Sequence, residues 1–104
     1  MITYPTGQGR SRIPRKNRHC VLRLITDQPI LVPTRRKADE PQDFFVLNSA
    51  GLLIWQLLDD RRSIEEIARE VALKYGLPKE RALEDTVNYL SQLARIGATL
   101  PDSP

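Results

Sequence analysis

The side chains that could carry chemistry in this 104-residue chain are few, and they form no catalytic pattern. Its one histidine, His19, and its one cysteine, Cys20, are neighbours at the start of an apolar stretch. A zinc site needs further Cys or His residues at fixed spacing, which the chain does not supply. We therefore interpret Cys20 as a small buried side chain and His19 as a solvated or packing residue.

The acidic residues Glu65, Glu66 and Glu70 belong to a predicted helix and not to an acid/base pair. "SIEE" at 63–66 has the spacing of a capping box, in which Ser63 and Glu66 satisfy the first backbone N–H groups of a helix. The glycine motifs that bind phosphates are missing, because "GQG" at 7–9 precedes no helical pattern. We expect no metal, no cofactor and no enzyme activity, and we interpret the chain as a binding module.

Composition favours one small domain. The chain is 40% hydrophobic and 28% charged, and a single cysteine excludes an internal disulfide. No apolar run reaches the roughly 18 residues that a membrane span needs, and the basic N-terminus lacks the apolar region of a secretory signal. These features predict a cytoplasmic protein.

The basic charge is concentrated at the N-terminus. Five basic residues and no acid lie in residues 1–18, whereas the net charge of the whole chain is +3, so the remainder is net acidic. With Gly, Pro and Ser and no hydrophobic period, this stretch predicts a flexible basic arm. We expect the domain to span 19–100 and the tail at 101–104 to fray.

Three short strands are predicted first. "CVLRLIT" alternates loosely, "TDQP" supplies a turn, and "ILV" forms a second strand that stops at Pro33. The polar loop "TRRKADEPQ" leads to a third strand, "DFFVL" at 43–47, in which Phe45 and Leu47 share the core face.

Three helices are predicted to follow. The run "FFVLNSAGLLIWQLL" is interrupted at Asn48 and Ser49, and helical spacing begins at Ala50, so we expect a direct strand-to-helix junction capped by Asn48 or Ser49. The second helix runs from Ser63 to Gly76, and the third starts near Pro78 and closes at Gly97. The order predicts an α+β domain with a small three-stranded antiparallel sheet and three helices, similar to a winged helix-turn-helix.

Residues 44–100 resemble the PqqD-like proteins, also described as RiPP recognition elements, where RiPPs are ribosomally made, post-translationally modified peptides. The resemblance rests on the order and spacing of several short motifs. They are Leu47-Asn48, Ile54-Trp55, Leu57-Leu58-Asp59, the Ser63–Ile67 segment, and Asp85, Tyr89, Leu90, Leu93 and Gly97 of the third helix.

The resemblance implies a peptide chaperone without catalysis. In this family the leader of a precursor peptide adds as a strand to the sheet, between the third strand and the third helix, and is presented to a modifying enzyme such as a radical S-adenosylmethionine enzyme or a peptidase. An exposed strand edge is physically suited to that mode. The residues expected to bind the peptide are Phe44, Val46, Arg81, Asp85, Asn88, Tyr89 and Gln92.

Two alternatives stay open at this point. The first is nucleic-acid binding by a winged-helix-like scaffold with the basic arm on phosphates, although Lys79, Arg81 and Arg95 of the third helix are balanced by three acids. The second is a structural partner domain that pairs through its strand edge, which makes the chain a monomer or an edge-paired dimer.

Overall fold

The sheet comes first along the chain and the helices follow it. The computed structural model describes residues 12–33 and 44–100. Its elements are β1 (Cys20–Ile25), β2 (Gln28–Pro33), β3 (Phe45–Val46), α1 (Ser49–Leu57), α2 (Ile64–Tyr75) and α3 (Lys79–Arg95). The strands form an antiparallel sheet in the order β1-β2-β3. The predicted α+β architecture is confirmed. Among the described residues, no helix is long and apolar enough to cross a membrane.

The turn between β1 and β2 is tighter than predicted. It consists of Thr26 and Asp27, with φ of 52° and 65°, and Ile25 pairs with Gln28 directly across it. Positive φ at both central residues matches the right-handed twist of the flanking strands. Gln28 and Pro29, which the sequence placed in the turn, therefore belong to β2.

The third strand is two residues long, not the five predicted over 43–47. The Leu47 N–H still donates to the Pro29 carbonyl at 3.0 Å. The next residue, Asn48, already caps α1, because its side-chain oxygen accepts from the Gly51 N–H at 2.7 Å. The direct strand-to-helix junction is confirmed, with Asn48 as the N-cap. Asp43 and the loop before it lie outside the described residues.

The helices begin and end at the capping residues that the sequence predicted. Ser63 and Glu66 form both halves of the capping box, and Gly76 ends α2 in the left-handed conformation. At the end of α3, the Gly97 N–H donates to the Ala94 carbonyl and the Ala98 N–H to the Leu93 carbonyl. These two bonds form a Schellman motif around Gly97, whose φ is 81°.

The core lies between the inner face of the sheet and the three helices. Leu31 of β2 is buried, and Phe45 of β3 packs against the core from the same face. Cys20 is also buried there, and burial raises the pKa of its thiol. The helices contribute further large buried side chains, which are Ile54, Trp55, Ile64, Ile67, Val71, Val87, Leu90 and Leu93.

The N-terminal segment, residues 12–17, contacts the helical part of the domain. The Asn17 N–H donates to the Ala98 carbonyl at 2.8 Å, and the Leu100 N–H to the Arg15 carbonyl at 2.9 Å. Lys16 pairs with Thr99 in an isolated antiparallel bridge. These contacts lie within the range that we predicted to be a flexible arm, so the described part of that range is held by backbone hydrogen bonds. The residues before 12 and after 100 lie outside the described part, and the boundaries of the domain stay a prediction.

Candidate peptide-binding site

β3 is an edge strand with one side available for pairing. It pairs with β2 on one side, in the register Leu31 with Phe45 and Ile30 with Val46, and has no second strand partner among the described residues. The Leu47 N–H points toward β2, and the backbone groups of successive residues in a strand point to opposite sides. Those of Val46 therefore point away from β2. The N–H and C=O of Val46 therefore face this open edge of β3.

A groove of about 470 Å³ lies beside this edge, between the start of α1, the end of α2 and α3. Its apolar lining residues are Ala50, Ile54, Val71 and Leu77, and its polar lining residues are Asn48, Tyr75, Asp85, Asn88, Tyr89 and Gln92. We call it the α3 groove. An apolar floor with a rim of amides, hydroxyls and one carboxylate can hold an apolar side chain and hydrogen-bond the backbone beside it.

Tyr89 connects the α3 groove to the sheet. Its ring meets that of Phe45 edge to face, with 6.0 Å between centroids and an interplanar angle of 76°. Its hydroxyl is buried, and no donor or acceptor of the described residues lies in hydrogen-bonding geometry with it. Burial raises the pKa of Tyr89, and the neighbouring Asn48 backbone offsets part of that rise. We regard the hydroxyl as unpaired, because proximity to Asn48 does not amount to a well-formed bond.

Asp85 is the charged residue of the groove lining. The Arg81 Nε lies 3.3 Å from its carboxylate, one helical turn away on α3. Both side chains are largely exposed, so this pair adds little to stability. The pair places the Arg81 guanidinium beside the rim of the α3 groove.

The structure distributes the seven predicted site residues over three places. Four of them, Asp85, Asn88, Tyr89 and Gln92, line the α3 groove. Arg81 is not a lining residue, but its side chain pairs with Asp85, which is. Phe44 and Val46 lie next to the open edge on the opposite face of the sheet, where both side chains are exposed. The binding roles of all seven residues stay a prediction.

Sequence reasoning missed the α2 side of the groove. Tyr75 and Leu77 flank the left-handed Gly76, and the Tyr75 hydroxyl donates to the Ser49 Oγ at 3.3 Å. The available signal was the position of Tyr75 four residues after Val71, which continues the apolar stripe of α2 to the end of the helix.

Comparison with protein families gives a match over most of the described domain. The model of the family described as "Coenzyme PQQ synthesis protein D (PqqD)" matches residues 30–98. A curated relative, the "PqqA binding protein" of Gluconobacter oxydans (strain 621H), is 36% identical over 53 residues, which make up 51% of this chain and 55% of that protein. The chain thus spans about half the length of this relative.

Three solved structures share the fold. A lasso peptide synthetase B1 complexed with the leader peptide gives a TM-score of 0.71 at 21% identity, covering 86% of this chain and 100% of that chain. TbiB1 in complex with the TbiA(beta) leader peptide gives 0.70 at 21% identity, with 86% and 99% covered. The PqqD truncation of Methylobacterium extorquens PqqCD, described as a RiPP recognition element, gives 0.68 at 22% identity, with 94% and 99% covered.

Proposed function

Since the chain belongs to the PqqD family, as the match over 30–98 shows, we propose that it binds the leader of a ribosomally made precursor peptide by strand addition. The observation that carries the proposal is the open edge of β3, where the Val46 backbone faces away from β2 and lies next to the α3 groove. A guest strand supplies partners for backbone groups that otherwise depend on water.

The α3 groove provides the side-chain recognition. Residues alternate between the two faces of a strand, so every second guest side chain points toward α3. Ile54, Val71 and Leu77 offer an apolar contact to such a side chain. The side-chain amides of Asn88 and Gln92 can hydrogen-bond the guest backbone beside it. The guest that fits is an extended segment with an aliphatic or aromatic anchor.

We assign the chain no catalytic step. The lining of the α3 groove has no His, Cys or Lys that could act as a base or nucleophile. The partners are the precursor leader and the enzyme that modifies the precursor, in line with the PqqA-binding relative and with the two leader-peptide complexes of the same fold. Such an enzyme is a radical S-adenosylmethionine enzyme or a peptidase, and we place the complex in the cytoplasm.

The experiment is a calorimetric titration of the full chain with synthetic leaders of the short precursor genes that neighbour its own. We expect one saturable site. Val46→Pro removes an N–H that β2 does not use, so the sheet persists while pairing at the open edge is lost. We expect at least a tenfold loss of affinity, on the order of 1.4 kcal/mol.

Leu24→Pro is the matched control. Leu24 lies on β1, the other edge of the sheet, and is exposed. Ile25 and Gln28 face each other across the two-residue turn, so alternation directs the Leu24 N–H away from β2 as well. This variant should bind like the parent chain. Absence of binding to every neighbouring precursor, or equal affinity of Val46→Pro and the parent, would overturn the proposal.

A further inference from the structure

The outer face of the sheet, opposite the helices, carries an apolar hollow beside the open edge of β3. Its volume is about 320 Å³. The lining residues come from the three strands and from Phe44, which directly precedes β3; they are Ile25, Gln28, Ile30, Val32, Phe44 and Val46. All of them except Gln28 are apolar. We call this the outer hollow.

Exposure within the outer hollow is uneven. Ile30 on the central strand is 5% exposed, whereas Val46 is 45%, Ile25 56% and Phe44 60% exposed. Exposed apolar side chains therefore lie on both sides of Ile30, and those of Phe44 and Val46 are next to the open edge of β3. An exposed apolar cluster at a strand edge is typical of a surface that another chain covers.

Strand register determines what must cover Val46. Its backbone faces the open edge, and its side chain lies on the outer face with that of Ile30, its partner in β2. Residues that are directly opposite in paired strands place their side chains on the same face. A guest residue directly opposite Val46 in the added strand therefore places its side chain beside Val46, at the outer hollow.

We propose that the outer hollow is a second specificity pocket for the guest peptide. This inference rests on the proposed function. It adds that guest side chains are recognised on both faces of the sheet, at the α3 groove and at the outer hollow. The outward guest residues, two positions apart beside Phe44 and Val46, are aliphatic or aromatic. Pairs of aromatic and β-branched residues are among the favourable cross-strand contacts. The guest residue between them points to the α3 groove, so the two outward residues are separated by one position.

The test is selection of peptides from a phage-displayed library of random twelve-residue sequences against the full chain. Peptides that bind the parent but not Val46→Pro are the strand-adding class. We expect this class to share two aliphatic or aromatic residues separated by one position. Val46→Lys, whose N–H is intact, should weaken a selected peptide by about fivefold and should select Asp or Glu at one of the two positions.

Leu73→Lys is the matched control, since Leu73 is an exposed leucine on α2 and should leave the selected pattern unchanged. Val46→Thr retains the β-branched shape and gives a second measurement if the lysine variant unfolds. If the strand-adding peptides lack the pattern, or Val46→Lys and Val46→Thr bind and select like the parent, the outer hollow is not a specificity pocket although strand addition stands. If no peptide depends on the Val46 N–H, both the proposed function and this inference fail.

Discussion

The Tyr89 hydroxyl lies where a Cβ atom on residue 51 would have to be, so α1 and α3 approach this closely because residue 51 is glycine. Gly51 is buried within α1, and Tyr89 lies on α3 at the wall of the α3 groove. The contact places the tyrosine ring between the first turn of α1 and Phe45 of β3. The position of Tyr89 at the groove wall therefore depends on the absence of a side chain at Gly51.

Gly51→Ala should destabilise the parent chain, because the added methyl group overlaps the tyrosine ring. Overpacking of this kind costs about 1–3 kcal/mol. In a Tyr89→Ala background the same change should stabilise the chain by up to about 1 kcal/mol, since alanine is the better helix former. Urea unfolding of the four variants measures the coupling, and equal effects of Gly51→Ala in both backgrounds would contradict it.

Stability at alkaline pH should depend on Tyr89. Burial raises its pKa, so the folded chain holds the phenolic proton more tightly than the unfolded chain does. This contribution is complete below the ordinary pKa of about 10 and is lost as pH rises from there through the folded-state pKa. Between about pH 9.5 and 11, the free energy of unfolding should fall more in the parent than in Tyr89→Phe. Equal slopes in the two chains would show that the hydroxyl titrates normally.

Thr86→Val should stabilise the domain. Thr86 is fully buried on α3, and its hydroxyl has no hydrogen-bond partner among the described residues. Replacing an unpaired buried hydroxyl by a methyl group of similar size removes a desolvation cost of about 1 kcal/mol. Thr86→Ser is the control, because it retains the hydroxyl, loses a methyl group and should be less stable than the parent. A valine variant of lower stability than the parent would indicate a partner for this hydroxyl.

Lys16→Gln should loosen the N-terminal segment. The Lys16 Nζ lies 4.7 Å from the centroid of the Trp55 ring. Desolvation lowers the pKa of Lys16, and Asp60 and Asp59 oppose that effect. Loss of the cation–π contact should reduce the free energy of unfolding by about 0.5–1 kcal/mol. It should also change the emission of Trp55, the sole tryptophan of the chain. Arg18→Gln, an exposed change two residues away, should alter neither quantity.

Thr26→Asn should stabilise the β1–β2 hairpin. Thr26 has a φ of 52°, a conformation that is unfavourable for a β-branched residue and tolerated by asparagine. The expected gain is about 0.5–1 kcal/mol, seen as a higher midpoint of urea unfolding. Thr26→Val removes the hydroxyl but retains the branched shape, and it should not give this gain. If both variants gain equally, the backbone conformation is not the cause.

The parts of the fold that the sequence predicted correctly are those determined by short-range chemistry. The Asn48 cap, the Ser63–Glu66 capping box and the glycine ends at Gly76 and Gly97 each depend on residues within one or two turns. The N-terminal segment had no such signal, because backbone groups far apart in sequence hold it to residues 98–100. Hydrogen bonds of this kind leave no pattern in side-chain type.

Short-range spacing also predicted one side of the α3 groove but not the other. Helical spacing brought Asp85, Asn88, Tyr89 and Gln92 onto one side of α3, and the structure places all four at one groove. That Tyr75 and Leu77 form the opposite wall depends on how α2 packs against α3. Spacing within a single helix carries no information on that packing.

The bridge between Lys16 and Thr99 brings both ends of the described domain to one place. The Arg12 carbonyl accepts from the N–H of Ile64, the first residue of α2, whereas Tyr75 at the other end of this 12-residue helix lines the groove. Those two helix ends are separated by about 18 Å. An enzyme fused at either end would therefore be attached near the start of α2, one helix length from the Tyr75 side of the groove. Covalent tethering to an enzyme would then raise the effective concentration of the bound peptide at that enzyme without any new contact to the peptide.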